Sequence, residues 1–190
     1  MLKIKFGTDG WRAIIAQEYT VENVARVTHA VCLWLKNQTN NPSVVIGYDC
    51  RFGGELFTET AIKVLCSNDI KVFTHKGFVS TPMISFGVLQ YQCAQGIVIT
   101  ASHNPPSYNG FKLKGAHGGP TPPHQIAEVE NLIPDAVVPI SGDLSDFEKK
   151  GLLVYVDLEK DYEDYIRSKF DIVSMNQSPF KMAYDAMFGA

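Results

Sequence analysis

Ser102, His103, Asn104 and Lys112 fall within one short stretch, TASHNPPSYNGFK from Thr100 to Lys112, whose residue types suit phosphate chemistry. It follows an apolar run, Gly96-Ile97-Val98-Ile99, that reads as a buried strand, so the serine hydroxyl is presented at a strand's mouth. Pro105 and Pro106 restrict φ and limit the conformations the loop gives up on ordering. Asn109-Gly110 is expected to form a turn that tolerates positive φ, after which Lys112 returns a cation to the same end. A hydroxyl held beside a lysine suits a phosphate better than a hydrolytic triad.

Two other uses of these residues are weaker. A Ser102–His103 nucleophile and base is disfavoured because neighbours in extended chain point to opposite sides. The chain also has no Gly-x-Ser-x-Gly elbow. A zinc site drawn from Cys93, His103, His117 and His124 lacks the usual ligand spacing. His29 and His75 read as ordinary surface or half-buried residues.

The elements that must position the loop alternate between strand and helix patterns, as in an α/β domain. Leu2 to Phe6 is expected to be a short strand, followed by a helix from a Thr20 N-cap to about Asn37. Val44 to Tyr48 reads as a second strand, Gly54 to Ser67 as a helix and Ile70 to Thr74 as a third strand. Thr81, as cap, and Pro82 open the next helix, and Gln95 to Ile99 is the strand that leads into the serine loop. Beyond it come a short strand from Phe111 to Lys114, a Gly/Pro-rich loop, and a helix from His124 to Ile133. Residues 134 to 151 read as an irregular excursion, Leu158 to Phe170 as an amphipathic helix, and Phe180 to Asp185 as a new strand. The expected fold is a three-layer α/β/α arrangement on a mixed, mostly parallel sheet. Residues 1–150 would form one domain, and 151–190 a connecting helix and the beginning of a second.

Ligands gather at the carboxyl ends of strands in open α/β sheets, and three polar clusters stand at such expected ends. Gly7 to Arg12 follows the first strand, Asp49-Cys50-Arg51 the second, and Ser102-His103-Asn104 the fourth. Arg12 is either a solvated side chain on a glycine-flanked turn or a planar fork for a phosphate. Asp49 and Arg51 read as an ion pair at a strand end that can also orient the serine loop.

Composition narrows the classes. With 190 residues the chain is long enough for one well-buried domain and some additional length. A hydrophobic content of 45% and a charged content of 19% are ordinary for a globular protein. The net charge of −3 argues against a nucleic-acid binder that works through phosphate contacts. The four cysteines form no CxxC pair, and Cys32 and Cys66 fall in apolar helical patterns, which suits buried free thiols in a reducing compartment. Neither a signal peptide nor a bilayer-spanning apolar run is visible, so a cytoplasmic protein without membrane partners is expected.

Taken in order, FGTDGWR, GYDCR, TPMISF, TASHNPPSYNGFK and GGPTP resemble the α-D-phosphohexomutases, the phosphoglucomutase/phosphomannomutase superfamily. The serine loop is the most specific of these motifs. Members of that family have four domains around a central cleft, and this chain resembles the first together with the start of the second. The resemblance implies that Ser102 passes a phosphoryl group to a hexose monophosphate, forming a hexose 1,6-bisphosphate that reorients and returns its other phosphate. It implies Lys112 as the proton-transferring or charge-stabilising lysine, with His103 and Asn104 lining the site. Arg12 would be a basic contact near the moving group, and Asp49 and Arg51 would support the loop.

It further implies Mg²⁺ bound by the serine phosphate and by three aspartates of a DGDGDR-type loop in the second domain. That run is absent here, so Ser102 would be the chain's one metal ligand, and the 190 residues alone are expected to show no mutase activity. The implied partners are a hexose phosphate and the remaining domains of the same polypeptide. Phosphoglucosamine mutases share the framework, although their serine loop more often begins Ser-Ala-Ser. A reading from another class is a non-catalytic phosphate-sensing or partner-binding module.

Overall fold

A computed structural model describes residues 3–7 and 10–187. Leu2 of the expected first strand, Thr8 and Asp9 of the first cluster, and residues 188–190 lie outside the described residues. Among the described residues the strands are β1 (Trp11–Ile14), β2 (Ser43–Tyr48), β3 (Lys71–Thr74), β4 (Gln95–Ile99), β5 (Tyr108–Gly115) and β6 (Leu153–Tyr155). The helices are α1 (Val21–Gln38), α2 (Gly54–Ser67), α3 (Thr81–Gln90), α4 (Pro123–Asn131), α5 (Leu144–Lys149), α6 (Leu158–Lys169) and α7 (Ile172–Asn176).

The strands form one sheet in the order β1-β5-β4-β2-β3-β6. β4, β2, β3 and β6 run parallel, and β5 and β1 are added antiparallel at one edge. Alternation within the central strands sorts their side chains onto two faces. Val44, Ile46, Ile97 and Ile99 join the core under α1 and α2, while Val45 and Val98 meet Ile84, Val88 and Leu158 from α3 and α6. These strands are covered on both sides, which is why they read as continuous apolar runs. Three layers result, as the sequence predicts.

α1 begins where expected, with the Thr20 side chain accepting a hydrogen bond from the Asn23 N–H at 3.2 Å. α3 starts at Thr81 but is capped by Ser80, one residue earlier than the reading from Thr81-Pro82, and Pro82 keeps its place in the first turn. α5 falls inside the stretch expected to be irregular. The Asp143 side chain caps it, and Phe147 is buried against the core.

The largest differences lie at the ends of the chain. Lys3 to Phe6 forms no strand; the Phe6 N–H donates to the Glu130 carboxylate and Ile4 is buried, so the segment straps across α4. The alternation of Lys3-Ile4-Lys5-Phe6 has no strand beside it to pair with. The edge strand is instead Trp11–Ile14, held by the register Trp11↔Phe111 to Ile14↔Tyr108. Beyond the expected boundary at residue 150, β6 pairs in parallel with β3. The helix expected there is present as α6, and it packs on α3 with Leu158 fully buried. Residues 151–169 therefore extend the same sheet and helix layer. Phe180 to Asp185 forms no strand among the described residues, and Phe180, Met182 and Tyr184 stand exposed.

Cys32, Cys66 and Cys93 are buried free thiols and Cys50 is exposed. Burial pushes the Cys32 and Cys66 thiols up to about 12, so both stay protonated at neutral pH. No helix among the described residues is long and apolar enough to cross a membrane.

Candidate active site

The serine loop leaves the carboxyl end of β4 between two neighbours that fix its course. On one side is β2, whose end leads into Asp49 and Arg51. On the other is β5, which runs back antiparallel from the loop. Both sit in the sheet by backbone pairing, so the loop hangs from two rigid supports.

Ser102 is exposed and adopts a left-handed backbone with φ +56°. A bent loop, rather than extended chain, brings Ser102 Oγ to 3.5 Å from His103 Nδ1. The premise that adjacent side chains point apart therefore does not hold here. At that separation the contact is too long to activate a nucleophile as a well-formed hydrogen bond does.

Behind the serine lies a compact scaffold. The Ser102 N–H donates to Thr100 Oγ1 at 3.0 Å, and the Thr100 hydroxyl donates to Asp49 Oδ2. Asp49 Oδ1 accepts the Arg51 backbone N–H at 3.0 Å, and the Arg51 Nε lies 3.7 Å from Asp49 Oδ2. The Arg51 guanidinium then gathers the loop's carbonyls. Its Nη2 donates to Ser102 O at 2.7 Å and to Asn104 O, and its Nη1 to Pro105 O at 2.9 Å and Tyr108 O at 3.0 Å. Arg51 thus faces the back of the loop.

Arg12 comes from β1, opposite Gly110 in register, and its Nη1 donates to Asn104 Oδ1 at 3.0 Å. Lys112 is two residues along β5 from Gly110, so it leaves the same face of the β1–β5 pair as Arg12. That lysine is buried, and its stem runs close to Gly10, where an added Cβ would come within 2.9 Å of Lys112 Cγ. Gly10 has φ +105°, which also favours glycine. The structure thus joins Ser102, Asn104, Arg12, Asp49 and Arg51 through direct contacts or shared partners, places His103 beside the serine, and sets Lys112 on Arg12's face. A cleft of about 590 Å³ opens on Asp49, Arg51, Ser102, His103 and Asn104. A larger groove of about 770 Å³, walled by Tyr19, Leu56, Phe57 and Phe78, lies beyond Arg51 and does not reach the serine.

Asn109-Gly110 is not a turn. Both residues are in β5, paired with Ala13 and Arg12. Glycine is required there by close approach: a Cβ at 110 would lie 2.6 Å from Thr100 O and 2.9 Å from Trp11 O. Gly110→Ala is expected to lower stability by about 2 kcal/mol through overpacking, read as a fall in urea midpoint. An unchanged midpoint would show that β1 can move aside without cost.

Two contributors escape a reading of motifs. Thr100 is one; it was visible only as the residue opening the loop. Tyr19 is the other, and no local pattern marks it. It is fully buried, stacks on Trp11 and meets Phe57 edge-on, each at 4.7 Å between ring centroids, and its hydroxyl donates to Gly110 O at 2.8 Å. Burial, and then the nearby Asp49 charge, raise the Tyr19 hydroxyl well above its ordinary range, so it remains a neutral donor.

Residues 3–137 match the family model described as phosphoglucomutase/phosphomannomutase, alpha/beta/alpha domain I. A phosphoglucomutase of Staphylococcus haemolyticus is 31% identical over 195 residues, covering 98% of this chain and 35% of the relative. A phosphoglucosamine mutase of Clostridium acetobutylicum is 30% identical over 185 residues, covering 97% of this chain and 40% of the relative. Among solved structures, a Thermus thermophilus protein provisionally assigned as a phosphomannomutase superposes with a TM-score of 0.82 at 32% identity. That superposition covers 91% of this chain and 37% of the other. The chain therefore spans between 35% and 40% of the length of these relatives.

Proposed function

Because the chain belongs to the phosphoglucomutase/phosphomannomutase family, of which it supplies the α/β/α domain I, we propose that Ser102 carries a phosphoryl group in transit between the two ends of a hexose phosphate. The observation that carries this reading is the placing of one exposed hydroxyl at the rim of β4, with its loop held from behind and Arg12 and Lys112 on the neighbouring strands. In the first half-reaction the bond from phosphorus to Ser102 Oγ breaks as one to a sugar hydroxyl forms, and that hydroxyl gives up its proton. The hexose 1,6-bisphosphate then turns, and in the second half-reaction the bond from its other phosphorus to the sugar oxygen breaks as one to Ser102 Oγ re-forms, the sugar oxygen taking back a proton.

Phosphoryl transfer is governed by positioning and by neutralising charge on the moving group. Arg12 supplies a fork of donors that Asn104 already orients. Lys112, held in a buried setting, balances developing charge or receives the sugar's proton. His103 lines the cleft beside the hydroxyl. Asp49 and Arg51 hold the loop and do not touch the phosphoryl group.

Mg²⁺ goes with this reading as a Lewis acid toward the phosphoryl oxygens. The described residues contain no cluster of three His, Cys, Asp or Glu that could hold a metal. The carboxylate that lines the cleft among the described residues, Asp49, is already engaged by Thr100 and Arg51. These residues alone do not fit a closed Mg²⁺ site: Ser102 would contribute through its phosphate, and the other ligands belong to the remaining domains of the polypeptide. A cytoplasmic setting suits the buried free thiols, which a reducing compartment preserves. Glucosamine phosphate remains a second candidate substrate because the similarity to a phosphoglucosamine mutase is of the same order; a panel of sugar phosphates separates the two.

Incubating the complete polypeptide with glucose 1,6-bisphosphate and mapping peptides by mass is expected to place one phosphate on Ser102. Phosphate found elsewhere and never on Ser102 removes the assignment. The 190 residues alone are expected to give no turnover of glucose 1-phosphate in a coupled assay.

A further inference from the structure

Ser102 is one of five non-glycine residues with positive φ among the described residues, and something must hold it there. One backbone hydrogen bond takes part: Asn104 N–H reaches Ala101 O and closes a turn with Ser102 and His103 at its centre, while the bond from Tyr108 N–H to Pro105 O closes the next turn along. The group that contacts the Ser102 N–H is the hydroxyl of Thr100, two residues earlier, and that hydroxyl also donates to Asp49 Oδ2.

We propose that the Thr100 hydroxyl is the positioning group of this site: by accepting from the Ser102 N–H while donating to Asp49, it locks the turn from Ala101 to Asn104 in the left-handed backbone that turns Ser102 Oγ into the cleft. A hydroxyl donates one hydrogen bond and accepts others through the same atom, which suits a relay between a carboxylate and an amide. Valine, of the same shape, can do neither. Thr100 is 4% exposed and Asp49 6% exposed, so solvent has little room to replace either bond. Asp49 is in turn tied to Arg51, which grips the Ser102 carbonyl at 2.7 Å. The peptide groups on either side of the Ser102 Cα are therefore both held, the N–H through Thr100 and the C=O through Arg51, and both restraints converge on Asp49. Small errors in such an orientation are costly in a transfer that depends on alignment.

This inference rests on the reading of Ser102 as the phosphoryl carrier for its functional meaning, but its test does not. Backbone amide exchange and the scalar coupling that reports φ at Ser102 are measured by NMR in the 190-residue chain, with the Ile97 amide in β4 as internal reference. Thr100→Val is expected to speed exchange of the Ser102 amide about tenfold relative to Ile97 and to shift its φ coupling. Thr100→Ala repeats the test should the valine variant fail to fold. Thr100→Ser, which keeps the hydroxyl, is expected to restore both readouts. Ser102 protection retained in the Val or Ala variant, or lost in the Ser variant too, overturns the proposal. No phosphate or sugar enters this measurement, so its failure leaves the phosphoserine assignment standing, and failure of that assignment leaves this result intact.

Discussion

Ser102→Gly is expected to abolish phosphoryl transfer and, at the same time, to make the protein more stable. The first effect follows from the loss of the hydroxyl that the loop presents in the cleft at the β4 rim. Removing a covalent nucleophile elsewhere lowers turnover by several orders of magnitude, and a fall of roughly 10⁴-fold or more is expected here. The second follows from the backbone. A residue with a Cβ held at φ +56° carries a cost of about 1 kcal/mol that glycine does not. Part of this gain is offset by the larger conformational freedom glycine brings to the unfolded chain. A net rise in stability of about 0.5 kcal/mol remains, detectable as a raised urea midpoint. Ser102→Ala is the control, because it removes the hydroxyl while keeping the Cβ. It should lose transfer to the same extent with stability unchanged to within about 0.5 kcal/mol. If the glycine variant were instead less stable than the alanine one, the left-handed conformation would not be a strain.

The opposed signs of those effects bear on what a sequence can disclose. Residue types chosen for stability obey local rules, and these were legible. α2 and β4 lie where their periodicity puts them, because each is a regular element buried along one stripe or on both faces. The serine loop stood out because Ser102, His103, Asn104 and Lys112 make no sense as packing residues. What was illegible depends on partners far along the chain. Trp11 to Ile14 alternates no more strongly than Lys3 to Phe6, and only the presence of β5 makes the first a strand. Asn109-Gly110 has turn composition, yet its glycine is there because Thr100 O, just past the end of β4, and Trp11 O of β1 approach from either side. Tyr19 supports the site from behind a helix N-cap, a place where nothing local signals it. Arg51 was legible as half of an ion pair, while its larger role in gathering carbonyls from Ser102 to Tyr108 needed the fold to be seen.

That role sets the other large expected effect. Arg51→Lys, which keeps the charge, is expected to destabilise the chain by about 2 kcal/mol and Arg51→Ala by about 3 kcal/mol. The planar guanidinium reaches four loop carbonyls from two nitrogens while its Nε faces Asp49. An ammonium offers three donors from a single point and cannot span that arc. Carbonyls released from it turn to solvent or go unpaired, and with alanine the nearly buried Asp49 carboxylate also loses its cation. Phosphoryl uptake by Ser102 in the complete polypeptide should fall with the lysine variant as well, because the loop no longer holds the serine in line. Urea midpoints and limited proteolysis between Ser102 and Tyr108 measure the structural part, and phosphate incorporation measures the functional part. The two must move together. A lysine variant that keeps full stability and a protected loop yet loses uptake would place Arg51 on the phosphate side of the loop, in contact with the moving group, and the support role would be lost.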